Sequence, residues 1–233
     1  MNTVTAIYPD GAELEFDIPE NWTELNRKQF AAVAPLLYNG DVINLLSRFA
    51  YLILGKKLFK QISGEENMDE FVHAFSFITS FPVLPFSHYK GFTLFGKRYF
   101  GIDDKLLDMT IDDYGMLEQC LAYFEDKTNQ KIFYEILHKR GWLKIFPISE
   151  NKKAALRLNY EAARANIPAM YPGLKYSNDN KTPDYHELIV KLAGKEFGNL
   201  KQTRTSMLHD VLKKMEIDTI SAAKTENPNT LLV

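Results

Sequence analysis

The chain has 233 residues, 45% of them apolar and 25% charged, which fits a folded globular protein and excludes a disordered or fibrous one. Its net charge of −2 argues against coating nucleic acid through bulk charge. A single cysteine, Cys120, excludes an intrachain disulfide and a cysteine-based zinc knuckle. It falls among Leu117, Leu121 and Phe124 at helical spacing, so a buried, inert thiol in a reducing cytoplasm is expected.

The first residues, Met1 to Asp17, lack the basic start and apolar run of a signal peptide. Thr3 to Ile18 reads as a β-hairpin: Pro9-Asp10-Gly11 signals the turn, and Leu14, Phe16 and Ile18 alternate with Glu13, Glu15 and Asp17. Such a hairpin is marginal alone in water and has to lie on something or join a neighbouring sheet. Helical periodicity follows. Asn26 to Gln29 has capping-box spacing, with Phe30, Val33, Ala34 and Leu37 on one face and Pro35 set to kink or shorten the helix. The next helix begins at Asp41, turns Val42, Leu45, Leu46, Phe49 and Ile53 inward, and ends at Gly55. Its apolar stretch is broken by Asn44, Ser47 and Arg48, short of the ~20 residues a membrane span needs. A third helix is expected from about Met68 to Thr79.

Pro82 and Pro85 interrupt the helical pattern, and Phe92 to Phe100 fits either a second short hairpin or an extended arm. Helix resumes behind a Thr110 cap, with Tyr114, Leu117, Leu121 and Phe124 as its face. Further helices are expected from Thr128 to Leu137, from Ser149 to about Ala165, from Asp184 to Gly194 and from about Thr205 to Met215. Pro168 and Pro172 bracket a loop, and Tyr176 to Pro183 is the best linker in the chain. The fold class is therefore mainly α (α+β): seven to eight helices with an N-terminal hairpin. Domain bounds fall at 1–175, at a C-terminal helical pair 184–216, packed on the first domain or separate, and at a loose tail 217–233.

Charge is distributed in blocks. Met1 to Glu24 holds six acids and no Lys or Arg; Asp103 to Asp126 holds eight acids and one Lys. Lys127 to Arg164 holds nine Lys or Arg against three Glu. Such blocks suit solvated helix faces or complementary faces between copies.

No phosphate loop is present, because Gly55-Lys56-Lys57, Gly96-Lys97-Arg98 and Gly194-Lys195-Glu196 lack the upstream glycine and the following hydroxyl. His73, His88, His138, His186 and His209 include no i, i+4 pair for zinc. Asp108 to Gln119 fails as a calcium loop at its sixth and twelfth positions, Asp113 and Gln119. No catalytic residue, metal ligand or cofactor site is therefore assigned.

Three stretches carry a resemblance. Pro19-Glu20-Asn21-Trp22-Thr23-Glu24-Leu25 with Gln29 opens the first helix. Leu107 to Tyr123 opens a helix after an extended segment, and Leu192 to Gly198 joins the last two helices. The combination resembles uncharacterised proteins encoded among virion-structure and tail-assembly genes of tailed phages and prophages of Bacteroidetes-type bacteria. The resemblance implies a non-enzymatic tail or neck component, or a tail-assembly chaperone, placed in the host cytoplasm during assembly or in the virion. Its partners would be other phage structural proteins or further copies, with no membrane. Trp22 and Leu25, which also suit stapling the hairpin to the first helix, are the apolar contact candidates, and Lys131, Arg140, Lys144, Lys152, Lys153 and Arg157 the basic ones. The alternative is a nucleic-acid-binding accessory protein using the basic segment 127–164 and its interleaved aromatics. A third reading is an enzyme assembled from distant residues such as His73, His138 or His186.

Overall fold

Apolar residues recurring every three to four positions dominate the chain, and the fold is mainly helical in consequence. The computed structural model describes residues 2–7, 11–38, 42–62, 75–79, 92–94, 97–99, 105–138, 148–174, 185–194 and 197–226. Two compact units emerge, Met1–Tyr89 with Phe146–Ala162, and Lys90–Ile145 with Ala163–Val233.

In the first unit, β1 (Asn2–Ile7) pairs antiparallel with β2 (Glu13–Ile18), in the register Thr3 to Asp17 and Thr5 to Glu15. Ile18 at the end of β2 is buried. Asn21 then caps a single 3-10 turn, Trp22–Glu24, accepting from the Thr23 N–H at 3.0 Å. Helix α1 (Arg27–Leu37) starts at the expected capping box: Asn26 accepts from Gln29 N–H at 3.0 Å and Gln29 from Asn26 N–H at 2.8 Å. Pro35 cannot donate to the helical ladder, and α1 ends two residues beyond it. Helix α2 (Val42–Ile62) is interrupted at Gly55, whose φ of 75° only glycine adopts cheaply. Trp22 anchors the aromatic core here. It meets Phe30 and Phe77 edge-on at 6.1 and 5.9 Å, and Phe49 meets Phe75 and Phe77 at 5.1 and 5.8 Å. The indole N–H of Trp22 donates to the Phe77 carbonyl at 3.2 Å, so its one polar group is satisfied.

The second unit contains a short hairpin, β3 (Phe92–Leu94) against β4 (Lys97–Tyr99), which decides between hairpin and arm in favour of the hairpin. Its centre is α3 (Ile111–Ala122), which packs on α4 (Lys127–His138), α7 (Tyr185–Leu192), α8 (Leu200–Thr205) and α9 (Leu208–Glu226). Thr110 caps α3 through the Asp113 N–H at 3.1 Å, as its position in the sequence suggested. Asp126 caps α4: its carboxylate accepts from the Thr128 N–H at 2.6 Å, and this bond holds its pKa below the ordinary range. Phe124, Phe133 and Tyr134 close the α3–α4 corner with edge-on contacts of 5.3 to 6.0 Å. Cys120 is buried at this corner, and burial pushes its thiol pKa up. Helix α5 (Glu150–Ala165) supplies residues to both units, and Arg164 near its end meets the buried Glu118 of α3 at 3.0 Å.

Several expectations need correcting. The helix expected over 68–79 lies outside the described residues as far as 74, and its end is a 3-10 turn, Ser76–Thr79. Pro168 does not bound a loop. It sits in the first turn of a short helix, α6 (Ile167–Met170), where a missing N–H costs nothing. The last helix does not begin at Thr205, because Asn199 and Gln202 form a second capping box and build α8 as a separate element. The tail expected from 217 continues as helix α9 to Glu226, since nothing between Ile217 and Glu226 breaks it. The linker at 176–183 lies outside the described residues; the helices beyond it pack on α3.

Within the first unit the Asn159 carboxamide is buried with neither its oxygen nor its nitrogen paired. Replacing fully buried Phe30 by Ala should cost roughly 3–5 kcal/mol, whereas Asn159→Leu should raise stability by about 1–3 kcal/mol by removing an unsatisfied amide. Urea unfolding of both variants checks the opposite signs.

Candidate functional site

The second unit places two helix starts back to back. The Leu208 N–H donates to the Met109 carbonyl at 2.8 Å and the Ile111 N–H to the Ser206 carbonyl at 3.0 Å, making an antiparallel bridge between Thr110 and Met207. His209 extends this seam. Its Nε2–H donates to the Lys105 carbonyl, and its Nδ1 shares a hydrogen bond with the Tyr171 hydroxyl. Leu106 is held at a φ of 57° and is wholly buried, so packing sustains a backbone conformation that leucine alone disfavours.

The seam brings Asp112, in the first turn of α3, towards Arg204, near the end of α8. Their ion pair is loose, with Arg204 Nε 3.8 Å from Asp112 Oδ1. That separation allows Coulombic attraction but exceeds hydrogen-bond reach, and the buried Nε has no hydrogen-bond partner. The guanidinium also lies 3.5 Å from Nδ1 of His186 on α7. Gly115, Met116, Gln119 and Ile189 complete an open groove of about 200 Å³. Gly194 and Gly198, at φ of 79° and 76°, reverse the chain between α7 and α8, and both helices border the groove. Here the cationic, imidazole and carboxylate groups face one another beside apolar Met116 and Ile189. The chemistry is that of polar recognition, with hydrogen-bond donors beside an apolar wall.

The residues singled out from sequence are elsewhere. Trp22 and Leu25 are 5% and 1% exposed, so they hold the fold of the first unit and offer no surface to a partner. The staple they suggested is the part of that expectation their burial fits. Lys131 on α4 and Lys152 on α5 are exposed. Lys153 pairs with Glu150 at 2.7 Å. Arg157 pairs with Glu161 at 2.7 Å and stacks over the Tyr38 ring at 4.2 Å, and the Tyr38 hydroxyl donates to the same glutamate at 3.1 Å. Arg140 and Lys144 lie outside the described residues, as do His73, His88 and His138 side chains. The basic segment is therefore divided: Lys131 belongs to the second unit, and Lys152, Lys153 and Arg157 to the first. Sequence spacing missed the groove because its ionisable members are 112, 186 and 204, three positions with no local pattern.

Among the described residues no group of three or more His, Cys, Asp or Glu is placed to hold a metal, and no helix is long and apolar enough to cross a membrane. Comparison of the chain with protein-family models, curated proteins and solved structures finds no match.

Burial, then the nearby charges of Glu216 and Asp210, push the Tyr171 pKa above its ordinary value of 10.0. A raised acid pKa leaves stability unchanged below the unfolded value and lowers it as pH climbs past 10 towards the folded value. The unfolding free energy of the wild type should fall more steeply above pH 10 than that of Tyr171→Phe, with parallel curves at neutral pH. Denaturant titrations across that range check the sign.

Proposed function

We propose that this chain is a non-enzymatic structural or assembly protein of a tailed-phage particle, either a tail or neck component or a tail-assembly chaperone. It acts through contacts with other particle proteins or with further copies. The resemblance at Pro19–Gln29, Leu107–Tyr123 and Leu192–Gly198 supplies the phage context. The observation that carries the contact role is the α3–α7–α8 groove. Met116 stands 41% exposed at its edge, beside the 42% exposed side chain of Arg204. An exposed Met next to an arginine matches the residue types enriched at protein contact surfaces.

The nucleic-acid reading keeps less support. Of the described cations in 127–164, Lys153, Arg157 and Arg164 already face Glu150, Glu161 and Glu118. Drawing them to phosphate would break those pairs.

Purified chain should form a stable complex with the product of a neighbouring portal, tape-measure or tail-tube gene. Met116→Asp combined with Arg204→Glu should weaken that complex at least ~10-fold, a loss of about 1.4 kcal/mol. Titration calorimetry with the helical circular-dichroism signal as a folding control measures this. A chain that binds none of those products, or a variant that binds as well as wild type, would end the proposal.

A further inference from the structure

The N-terminal hairpin has two outer edges, and among the described residues neither is paired with a third strand. Two strands are marginal in water, and further strands stabilise a sheet through the same ladder. The two edges differ sharply in what they would present to another strand.

Along β2, Glu13, Glu15 and Asp17 are all exposed and share one face. If two copies met edge to edge through β2, every register that kept the faces matched would set carboxylate opposite carboxylate. Like charges directly opposed destabilise a strand pair. This edge repels itself.

Along β1, the same face carries Thr3 and Thr5, both exposed and uncharged. A two-fold axis through Val4 would place Thr3 of one copy opposite Thr5 of the other, twice, and Asn2 opposite Ala6. Threonine favours strands, and Thr–Thr cross-strand pairs are among those that stabilise them. The acidic strands would then lie outermost, three strand spacings apart. That is about 14 Å, beyond the ~8 Å over which exposed charges act at physiological salt. Self-pairing through β1 therefore separates the charges that self-pairing through β2 would crowd.

We infer that β1 is a docking edge for a second copy of this chain, forming a four-stranded antiparallel sheet with Thr3 opposite Thr5 of the partner copy. The inference does not depend on the phage reading or on the α3–α7–α8 groove. A strand contact of this length is small for a stable interface, so the association is reversible and depends on concentration.

The test uses the full chain with one new cysteine at a time. Directly opposed residues in an antiparallel pair have Cα atoms ~4.5–5.5 Å apart, within the range a disulfide spans. Mixing Thr3→Cys chain with Thr5→Cys chain under mild oxidation should give a cross-linked dimer, while either chain alone should give none, since each new thiol would face a threonine. The single-variant samples also control for Cys120. Thr3→Lys/Thr5→Lys should shift sedimentation from dimer to monomer at high concentration while keeping the wild-type circular dichroism, because each Lys gains an acid within its own hairpin and opposes Lys across the axis. Absence of the mixed cross-link, or cross-linking of either single variant alone, overturns the proposal; the latter would show another register.

Discussion

The second unit depends on a short seam between two helix starts. Residues 105–111 and 206–209 are joined by Met109 to Leu208, Ile111 to Ser206 and Lys105 to His209, and buried Leu106, Met109, Ile111 and Leu208 line it. Four apolar side chains taken fully from water contribute roughly 1.5–3 kcal/mol each, far more than the net gain of about 1 kcal/mol from each hydrogen bond. Packing supplies the energy, and the hydrogen bonds fix the register. Because α3 and α9 both start at this seam, its geometry sets where α8 ends and hence how near Arg204 comes to Asp112.

Much of the fold was legible because local signals agreed with burial. The Asn26–Gln29 capping box, the Thr110 cap, the interruption at Gly55 and the reversal at Gly194 and Gly198 all have backbone causes written in one or two residues. Asn199-Leu200-Lys201-Gln202 has the same spacing as Asn26 to Gln29 and was as readable, yet the short helix behind it has too few apolar positions to show a period. The run after Ile217 looked like a tail because it is polar; polarity there reflects a solvated helix face, with Thr219 still half-buried and its hydroxyl donating to the Met215 carbonyl at 2.8 Å.

The functional surfaces were less legible, for a physical reason. Residues 112, 186 and 204 meet only through the seam and the α7–α8 reversal, so no spacing along the chain announces them. Charge counts misled in the opposite direction. Nine cations in one stretch leave nucleic-acid binding open as an alternative, but Lys153, Arg157 and Arg164 face Glu150, Glu161 and Glu118, and the described cations are split between two units. Trp22 is large and apolar enough to suit a contact surface or a core, and its edge-on contacts with Phe30 and Phe77 take it into the core. Acid alternation along β2, by contrast, was plain in the sequence, and pairing with a threonine-bearing β1 is what gives it consequence.

The seam can be examined directly by native-state amide hydrogen exchange at Leu208 and Ile111. Both donors lie outside the helical ladders and bond only across the seam, so helix stability alone would not protect them. If the seam organises the second unit, both amides exchange only through global opening of that unit, as slowly as the most protected amides within α3. Exchange of either at rates typical of frayed helix ends, while the middle of α3 stays protected, would contradict the account.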